Sequence, residues 1–272
     1  MKTKVFALIL NFNNPKDTIL AAHSLTSSDL PKNTEIVVID NAPIDQKDIF
    51  SKHIPGAVYI KSKGNIGYSA GNNLGIRYAL TQKATHILLL NPDVRVPKVF
   101  FSKLLNTFEL NHDAGIVAPA HQEPGESRYG LGGHVDWATC SFPHDNASVL
   151  PNHELKYDLL TFACVLVKAE VFKRVGLLDE RYFLYLEDVD YCVAVKSSGY
   201  ELYLNPKVCV IHNTSSSFAD KRSKIKYSFL SSLIFIKKWY QFPHNIRPIL
   251  HTLYFYPYIY ILWTLKIYKK SL

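Results

Sequence analysis

The sequence has few of the residues that mark fibrous, disulfide-rich or disordered proteins. Its 272 residues include 12 glycines, 14 prolines and four cysteines, whereas 47% of the residues are hydrophobic. These proportions exclude a collagen-like or low-complexity chain and argue against intrinsic disorder. The cysteines form no C-x-x-C pair, so we interpret them as reduced, buried side chains in a reducing compartment. The N-terminal segment has no cleavage site, and we interpret it as the start of a strand rather than a signal peptide.

Acidic side chains are absent from the last part of the chain. From Lys221 to Leu272 the sequence holds ten Lys and Arg, no Asp or Glu, and 13 aromatic residues. Residues 1–220 hold 21 basic and 23 acidic side chains, so the net charge of +8 comes from the C-terminal segment. We therefore predict a domain at residues 1–220 and a helical, basic and aromatic extension at residues 221–272.

Short apolar runs alternate with longer helical patterns through the first part of the chain. Val5–Leu10 and His86–Leu90 have the length and composition of buried strands. This alternation predicts an α/β fold with a mostly parallel central sheet. Ligands of such sheets bind beyond the carboxyl ends of the strands, where we expect Asn13, Asp40 and Asp93. The pattern is lost at about residues 121–158, which we interpret as a long loop or an insertion that covers the substrate.

Polar and glycine-rich motifs follow the predicted strands in a set order. They are VVIDN at 37–41, GNIGYSAGNNLG at 64–75, LNPD at 90–93, DERYF at 179–183, EDVD at 187–190 and the segment from Pro206 to His212. Each motif is common alone, but together they resemble the family 2 glycosyltransferases over roughly residues 4–217. The Asn-Pro-Asp form is similar to the rhamnosyltransferase-like branch, which assembles bacterial surface polysaccharides. The resemblance implies the GT-A fold, a Rossmann-like sheet flanked by helices.

The resemblance also implies a metal-dependent, inverting glycosyltransferase that uses a nucleotide-sugar donor. Asp188 is expected to be the general base for the acceptor hydroxyl. Asp93 is expected to bind Mn²⁺ or Mg²⁺, and His212 is a second ligand, a donor to the phosphates or a buried structural histidine. Asp40 is expected to accept from a uracil or thymine ring, which favours a UDP- or dTDP-sugar. Further donor-binding predictions are Asn11, Asn13, Asn65, Gly67, Asn72 and Asn91, and the acceptor-side predictions are Glu187 and Phe162.

Three positions depart from the family pattern. Asn91 replaces the first carboxylate of the usual D-x-D, so Asp93 is the only firm metal ligand expected there. Ala194 replaces a common arginine, and Phe162 stands where a small residue is usual. We expect the last two differences to affect the acceptor pocket more than the chemistry.

The C-terminal extension has apolar residues at helical spacing among lysines. This pattern is typical of a helix that lies in a membrane interface, although a helical cap packed on the domain is the alternative. On the membrane interpretation the protein is cytoplasmic and peripheral on the inner face of the membrane, extends a lipid-linked glycan and has no nucleic-acid partner. Two other functions stay open: a nucleic-acid-binding protein that uses the tail, and an inactive sugar-nucleotide-binding scaffold.

Overall fold

The structure, a computed structural model, describes residues 3–213 and 221–264, without the side chains of residues 221, 222 and 262–264. The strands are β1 (Val5–Asn11), β2 (Thr34–Asp40), β3 (Val58–Lys61), β4 (His86–Leu90), β5 (Val94–Arg95), β6 (Ala114–Gln122), β7 (Tyr129–Gly133), β8 (His144–Ala147), β9 (Leu155–Tyr157), β10 (Cys164–Lys168) and β11 (Glu201–His212). The helices are α1 (Pro15–Thr26), α2 (Lys47–His53), α3 (Tyr68–Thr81), α4 (Phe101–Leu110), α5 (Ala169–Val175), α6 (Glu187–Ser197), α7 (Lys221–Trp239) and α8 (Ile246–Thr264).

One mixed sheet with helices on both faces forms the body of the molecule. Its strand order is β3-β2-β1-β4-β10-β6-β11-β5, with β7, β8 and β9 attached at one side. The first four strands of this order are parallel, and β6 and β11 are also parallel. This arrangement confirms the predicted α/β class. It also places the ends of β1, β2 and β4 side by side, because Asn11 pairs with Asp40 and Ile9 with Leu90.

The first helix begins where its sequence signals predict. The Asn14 side chain accepts a hydrogen bond of 3.2 Å from the Asp17 N–H, and Pro15 occupies the first helical position. Such a cap satisfies one of the free N–H groups at a helix start, and proline has no N–H to leave unpaired there. The residues at positions 14 and 15 therefore account for the start of α1.

The second half of the sheet differs from a simple alternation of parallel strands. Strand β10 is antiparallel to both of its neighbours, β4 and β6. Residues 121–158 include β7, β8 and β9, so this part of the chain is not a plain loop. Residues 201–212 form one long strand, β11, with a register shift between Asn205 and Cys209.

The C-terminal helices contact the body of the molecule. Phe235 and Ile236 of α7 are buried in the main core cluster, and the Ser231 hydroxyl donates to the Leu184 carbonyl oxygen at 2.9 Å. Helix α8 packs on α7, where the Ser232 and Tyr256 hydroxyls are 3.0 Å apart. These contacts are those of the helical-cap alternative, and the domain division at residue 220 stays a prediction. In the described part of the chain, no helix combines the length and apolarity that crossing a membrane requires.

Candidate active site

A cavity of about 370 Å³ lies beyond the carboxyl ends of β1, β2 and β4, and we name it the β-edge cavity. Open α/β sheets bind ligands at this edge, because loops diverge there and leave a crevice. Several side chains on its wall are amides, which donate and accept hydrogen bonds. The lining residues are Leu10, Phe12, Asn13, Asn14, Asn41, Asn65, Gly67, Tyr68, Asn91, Pro92, Asp93, Phe183 and Leu184.

The glycine-rich turn before α3 forms one wall of this cavity. The Asn41 side-chain amide donates to Asn65 Oδ1 and to the Gly67 carbonyl oxygen, both at 3.2 Å. Gly67 has φ +87°, and a Cβ there would lie 2.6 Å from the Phe183 carbonyl oxygen. The next residue, Tyr68, donates its N–H to that same carbonyl at 2.8 Å. The turn is therefore held close to the segment that precedes α6, and only glycine fits at position 67.

Asp40 is fully buried behind the β-edge cavity and is not among the residues that line it. One carboxylate oxygen accepts from the Asn11 amide at 2.9 Å and from the Ala42 N–H at 3.1 Å. The other accepts from the Tyr59 hydroxyl at 2.7 Å and from the Gln46 N–H at 3.1 Å. In this conformation Asp40 joins the ends of β1 and β2 to the loop that follows, so its contact with a pyrimidine ring stays a prediction.

Asp93 and His212 lie together at the edge of the same cavity. His212 Nε2 is 3.4 Å from Asp93 Oδ1, and both side chains are buried. The proximity follows from the sheet, because β11 pairs with β5 and Val94 is the register partner of His212. A carboxylate oxygen beside an imidazole nitrogen fits two coordination positions of Mn²⁺. Within residues 3–213 and 221–264 no group of three or more His, Cys, Asp and Glu could hold one metal ion.

A second cavity, of about 600 Å³, lies at the start of α6, and we name it the α6 cavity. Glu187 and Asp188 line one side of it. Tyr185 and Leu186, just before them, have φ of +68° and +61°. Two consecutive non-glycine residues in the left-handed backbone region are strained, and such strain is concentrated at functional sites. The full lining is Cys140, Ser141, Phe142, His144, Tyr185, Leu186, Glu187, Asp188, Val189, Ser228, His251, Thr252, Phe255 and Tyr256.

The two carboxyl groups at the start of α6 have different surroundings. Burial and the adjacent charge of Asp188 raise the pKa of Glu187 well above its usual value. Among the described residues, Glu187 Oε2 has no hydrogen-bond partner. Burial also raises the pKa of Asp188, but hydrogen bonds from the Val189 and Phe162 N–H groups and the nearby His144 oppose the rise. Glu187 therefore keeps its proton to higher pH, and Asp188 is the carboxylate of the pair.

Tyr68 is a residue of the β-edge cavity that lies near the acids of both cavities. It lines the β-edge cavity, and its hydroxyl donates to the Phe162 carbonyl oxygen at 2.7 Å. Burial raises the pKa of this hydroxyl, and the charges of Glu187, Asp188 and Asp93 raise it further. Tyr68 therefore stays a neutral donor close to acidic groups of both cavities.

The sequence of this chain matches the family model described as glycosyl transferase family 2 over residues 7–175. This region covers β1 to α5 and includes most of the β-edge cavity. The chain belongs to glycosyl transferase family 2. The predicted family and the rhamnosyltransferase-like resemblance are thus confirmed.

Two characterised relatives indicate the range of this similarity. The chain is 29% identical over 186 residues to the low-salt glycan biosynthesis hexosyltransferase Agl10 of Haloferax volcanii, covering 66% of this chain and 59% of that protein. It is 33% identical over 170 residues to the N-acetylglucosaminyl-diphospho-decaprenol L-rhamnosyltransferase of Mycobacterium tuberculosis, covering 55% of this chain and 54% of that protein. The chain therefore spans little more than half the length of these relatives.

A solved structure supports the fold. The crystal structure of GalNAc-T7 with UDP, GalNAc and Mn²⁺ superposes with a TM-score of 0.64 at 15% sequence identity, covering 86% of this chain and 48% of that one. The predicted GT-A fold is therefore confirmed.

The predicted site residues of this family 2 chain differ in where the structure places them. Asn13, Asn65, Gly67, Asn91 and Asp93 line the β-edge cavity, and Glu187 and Asp188 line the α6 cavity. Asn11, Asp40, Asn72 and Phe162 are buried and line neither cavity. The Phe162 ring contacts the Tyr191 ring at 6.1 Å, so only its backbone reaches Asp188. His212 lies beside Asp93.

Other lining residues had no role in the sequence-based site. Tyr68 and His144 are examples in the body of the chain, and His251 and Tyr256 reach the α6 cavity from α8. Tyr68 directly follows the glycine-rich turn, which was a usable signal. The others are brought in by β8 and α8, whose positions had no signal in the motifs.

Proposed function

We propose that this family 2 glycosyltransferase transfers a sugar from a UDP- or dTDP-sugar to a hydroxyl of a lipid-linked glycan, with inversion at the anomeric carbon. The observation that carries this proposal is the position of Asp188. Asp188 lines the α6 cavity, and the segment before it borders both cavities, because residues 183–184 line the β-edge cavity and residues 185–187 line the α6 cavity. A base next to a crevice that holds the donor suits an in-line displacement.

The β-edge cavity takes the donor in this proposal. Asn13, Asn65 and Asn91 offer amide groups to the nucleotide and its sugar. Asp93 and His212 would hold a divalent cation, which neutralises the charge of the diphosphate leaving group when it is bound. The similarity to a structure that contains UDP and Mn²⁺ supports both the donor class and the metal.

The α6 cavity takes the acceptor hydroxyl. Asp188 receives the hydroxyl proton while the acceptor oxygen forms its bond to the anomeric carbon and the bond from that carbon to the diphosphate breaks. Attack from the side opposite the leaving group inverts the anomeric configuration. Glu187, which keeps its proton, adds no second negative charge beside the base. The Tyr68 hydroxyl, whose pKa is raised by burial and by the charges of Glu187, Asp188 and Asp93, stays neutral near the acidic groups of both cavities.

The acceptor class rests on the relatives and on the C-terminal extension. The mycobacterial relative is named for an acceptor with a diphospho-decaprenol group, which is a sugar on a lipid diphosphate. The extension of this chain carries ten Lys and Arg without an acidic residue. Each cation near an anionic membrane contributes about 1 kcal/mol of attraction. We therefore place the protein peripherally on the cytoplasmic face of the membrane.

A donor screen followed by product analysis tests the function. Ligand binding raises the melting temperature by mass action, so UDP- and dTDP-sugars are compared with GDP-sugars by thermal shift, with and without Mn²⁺. The stabilising donor is then incubated with a lipid diphosphate sugar, and the anomeric configuration of the product is read by NMR. We expect a pyrimidine donor and an inverted linkage. A purine preference or a retained configuration would contradict the proposal.

A further inference from the structure

A groove of about 350 Å³ runs between the two C-terminal helices, and we name it the α7–α8 groove. Its wall is almost entirely apolar, and among the described side chains that line it Lys226 is the one with a charge. From α7 the lining residues are Ile225, Lys226 and Phe229, and from α8 they are Tyr256, Pro257, Tyr260 and Ile261. Binding of an apolar ligand in an open groove of this kind is favourable, because it removes apolar surface from water.

The groove lies next to the α6 cavity. Tyr256 lines both spaces, and Ser228, which lines the cavity, is followed on α7 by Phe229, which lines the groove. The Tyr256 ring meets the Phe229 ring edge-on at 5.7 Å, and its hydroxyl is 3.0 Å from the Ser232 hydroxyl. One side chain fixed by two contacts therefore forms part of the wall of both the cavity that holds Asp188 and the apolar α7–α8 groove.

The chemistry of the two spaces matches the two ends of one molecule. The α6 cavity has carboxyl, hydroxyl and imidazole groups, which can form hydrogen bonds with a sugar. The groove has apolar and aromatic side chains and one lysine. A free oligosaccharide would leave the groove empty, and a soluble protein partner would not reach into the cavity. A glycan joined through a diphosphate to an apolar chain fills both, and Lys226 complements its negative charge.

We infer that the α7–α8 groove binds the apolar chain of a lipid-linked acceptor, while the sugar of that acceptor lies in the α6 cavity beside Asp188. This inference rests on the proposed function, since it assigns the lipid of the proposed acceptor to a site. It gives the C-terminal extension a direct part in acceptor binding, besides its contacts with the body.

Binding of farnesyl diphosphate tests the inference without any transfer reaction. Calorimetry compares it with inorganic diphosphate, below the concentration at which the prenyl compound forms micelles. We expect farnesyl diphosphate to bind more tightly, because each buried methylene adds about fourfold in affinity, or about 0.8 kcal/mol. Ile261→Glu places a charge in the groove. We expect this variant to bind farnesyl diphosphate at least about tenfold more weakly and to bind inorganic diphosphate with unchanged affinity.

Tyr254→Glu is the matched control. Tyr254 is on the same helix and 70% exposed, but it does not line the groove. We expect this variant to bind farnesyl diphosphate as the unsubstituted protein does. Equal weakening by both variants would assign the effect to the outer face of α8 as a membrane surface and overturn the inference. Equal affinity for farnesyl diphosphate and inorganic diphosphate would also overturn the inference. So would a dimer in sedimentation experiments that Ile261→Glu dissociates, because a second copy of the chain would then occupy the groove.

Transfer assays separate this inference from the proposed function. We expect Ile261→Glu to raise KM for a lipid diphosphate sugar and to leave transfer to a lipid-free acceptor unchanged. If Ile261→Glu and the unsubstituted protein have the same KM for the lipid acceptor, the groove assignment fails and the glycosyltransferase function stands. If farnesyl diphosphate binds as expected but no nucleotide sugar is consumed, the proposed function fails.

Discussion

The Trp239 indole nitrogen donates a hydrogen bond of 2.8 Å to Asp190 Oδ1, and this bond joins the C-terminal extension to the helix that carries Asp188. The same carboxylate accepts from the Tyr182 hydroxyl at 3.1 Å and forms an ion pair with Lys238 at 2.7 Å. Asp190 is almost completely buried, so these partners replace its water. The last acid of the E-D-x-D segment thus has a structural role, two residues from the proposed base.

We predict that Asp190→Asn lowers the free energy of unfolding by about 1.5–3 kcal/mol, the contribution of a hydrogen bond to a charged group. The amide keeps the size of the side chain but loses the charge that pairs with Lys238, whose other carboxylate partner is Asp179 at 3.0 Å. Urea denaturation measures the change. Glu109→Gln removes an exposed acid from α4 and is the control, with an expected change of less than about 0.5 kcal/mol. Equal stability of the two variants would contradict the role of Asp190.

The sequence predicted the elements whose signals are local. Asn14 and Pro15 mark the start of α1, and the apolar run at Val5–Leu10 marks a central strand, because capping and burial leave direct traces in the residues. Helix α2 was missed because it is short and has few apolar residues. The place of β10 between β4 and β6 depends on pairing between distant segments, which no local pattern specifies.

The candidate site was predictable in its acids and less so in its walls. Asp93 and Asp188 each belong to a motif at the boundary of a strand or helix, which made them recognisable in the sequence. In the structure Asp93 lines the β-edge cavity and Asp188 lines the α6 cavity. The same pattern suggested that Asp40 faces the ligand, but the Asn11 amide and the Tyr59 hydroxyl surround its carboxylate. Tyr256 reaches the α6 cavity only through the packing of α8 on α7, and such helix packing is a long-range property of the fold.

The proposed base gives a kinetic prediction. Asp188→Asn is nearly isosteric and keeps the hydrogen bond from the Val189 N–H, so folding and donor binding are expected to stay unchanged. Transfer is expected to fall by about two to four powers of ten, the range for loss of a general base. Steady-state kinetics and donor titration measure the two effects. A loss of donor affinity as large as the loss of turnover would assign Asp188 to binding instead.

Glu187 gives a prediction about stability and pH. Since its pKa in the folded protein is raised, the folded state keeps a proton that the unfolded chain loses above about pH 4.3. Its contribution to stability therefore falls as pH rises towards the folded pKa, by about 1.4 kcal/mol per pH unit. Glu187→Gln removes this loss, so we expect the variant to be more stable than the unsubstituted protein at pH 7 and equally stable at pH 4. Urea denaturation at both pH values tests the sign, and a variant less stable at pH 7 would contradict it.

The glycine-rich turn gives a prediction with a matched control. Gly67 and Gly64 both have positive φ, but a Cβ at Gly67 would lie 2.6 Å from the Phe183 carbonyl oxygen and a Cβ at Gly64 would contact nothing within 4 Å. Gly64→Ala is expected to lower the free energy of unfolding by about 1–2 kcal/mol, the cost of the backbone strain alone. Gly67→Ala is expected to lose more stability and to weaken donor binding, because the turn must move away from the segment before α6. Denaturation and donor titration compare the two, and equal effects would contradict the close approach.

Asp93 gives the prediction for the metal. The carboxylate lines the β-edge cavity 3.4 Å from His212 Nε2, where the diphosphate of the donor is proposed to lie. Asp93→Asn keeps the shape of the side chain but loses the negative charge that a hard divalent cation requires. We expect Mn²⁺ to strengthen donor binding to the unsubstituted protein and to have little effect on the variant, so that both bind the donor alike in EDTA. Calorimetric titration of the donor with Mn²⁺ or EDTA measures the difference. Asn91→Ala, a change in the same motif that removes no charge, is the control and is expected to keep the Mn²⁺ effect. Full transfer activity in excess EDTA would reject the metal at this position.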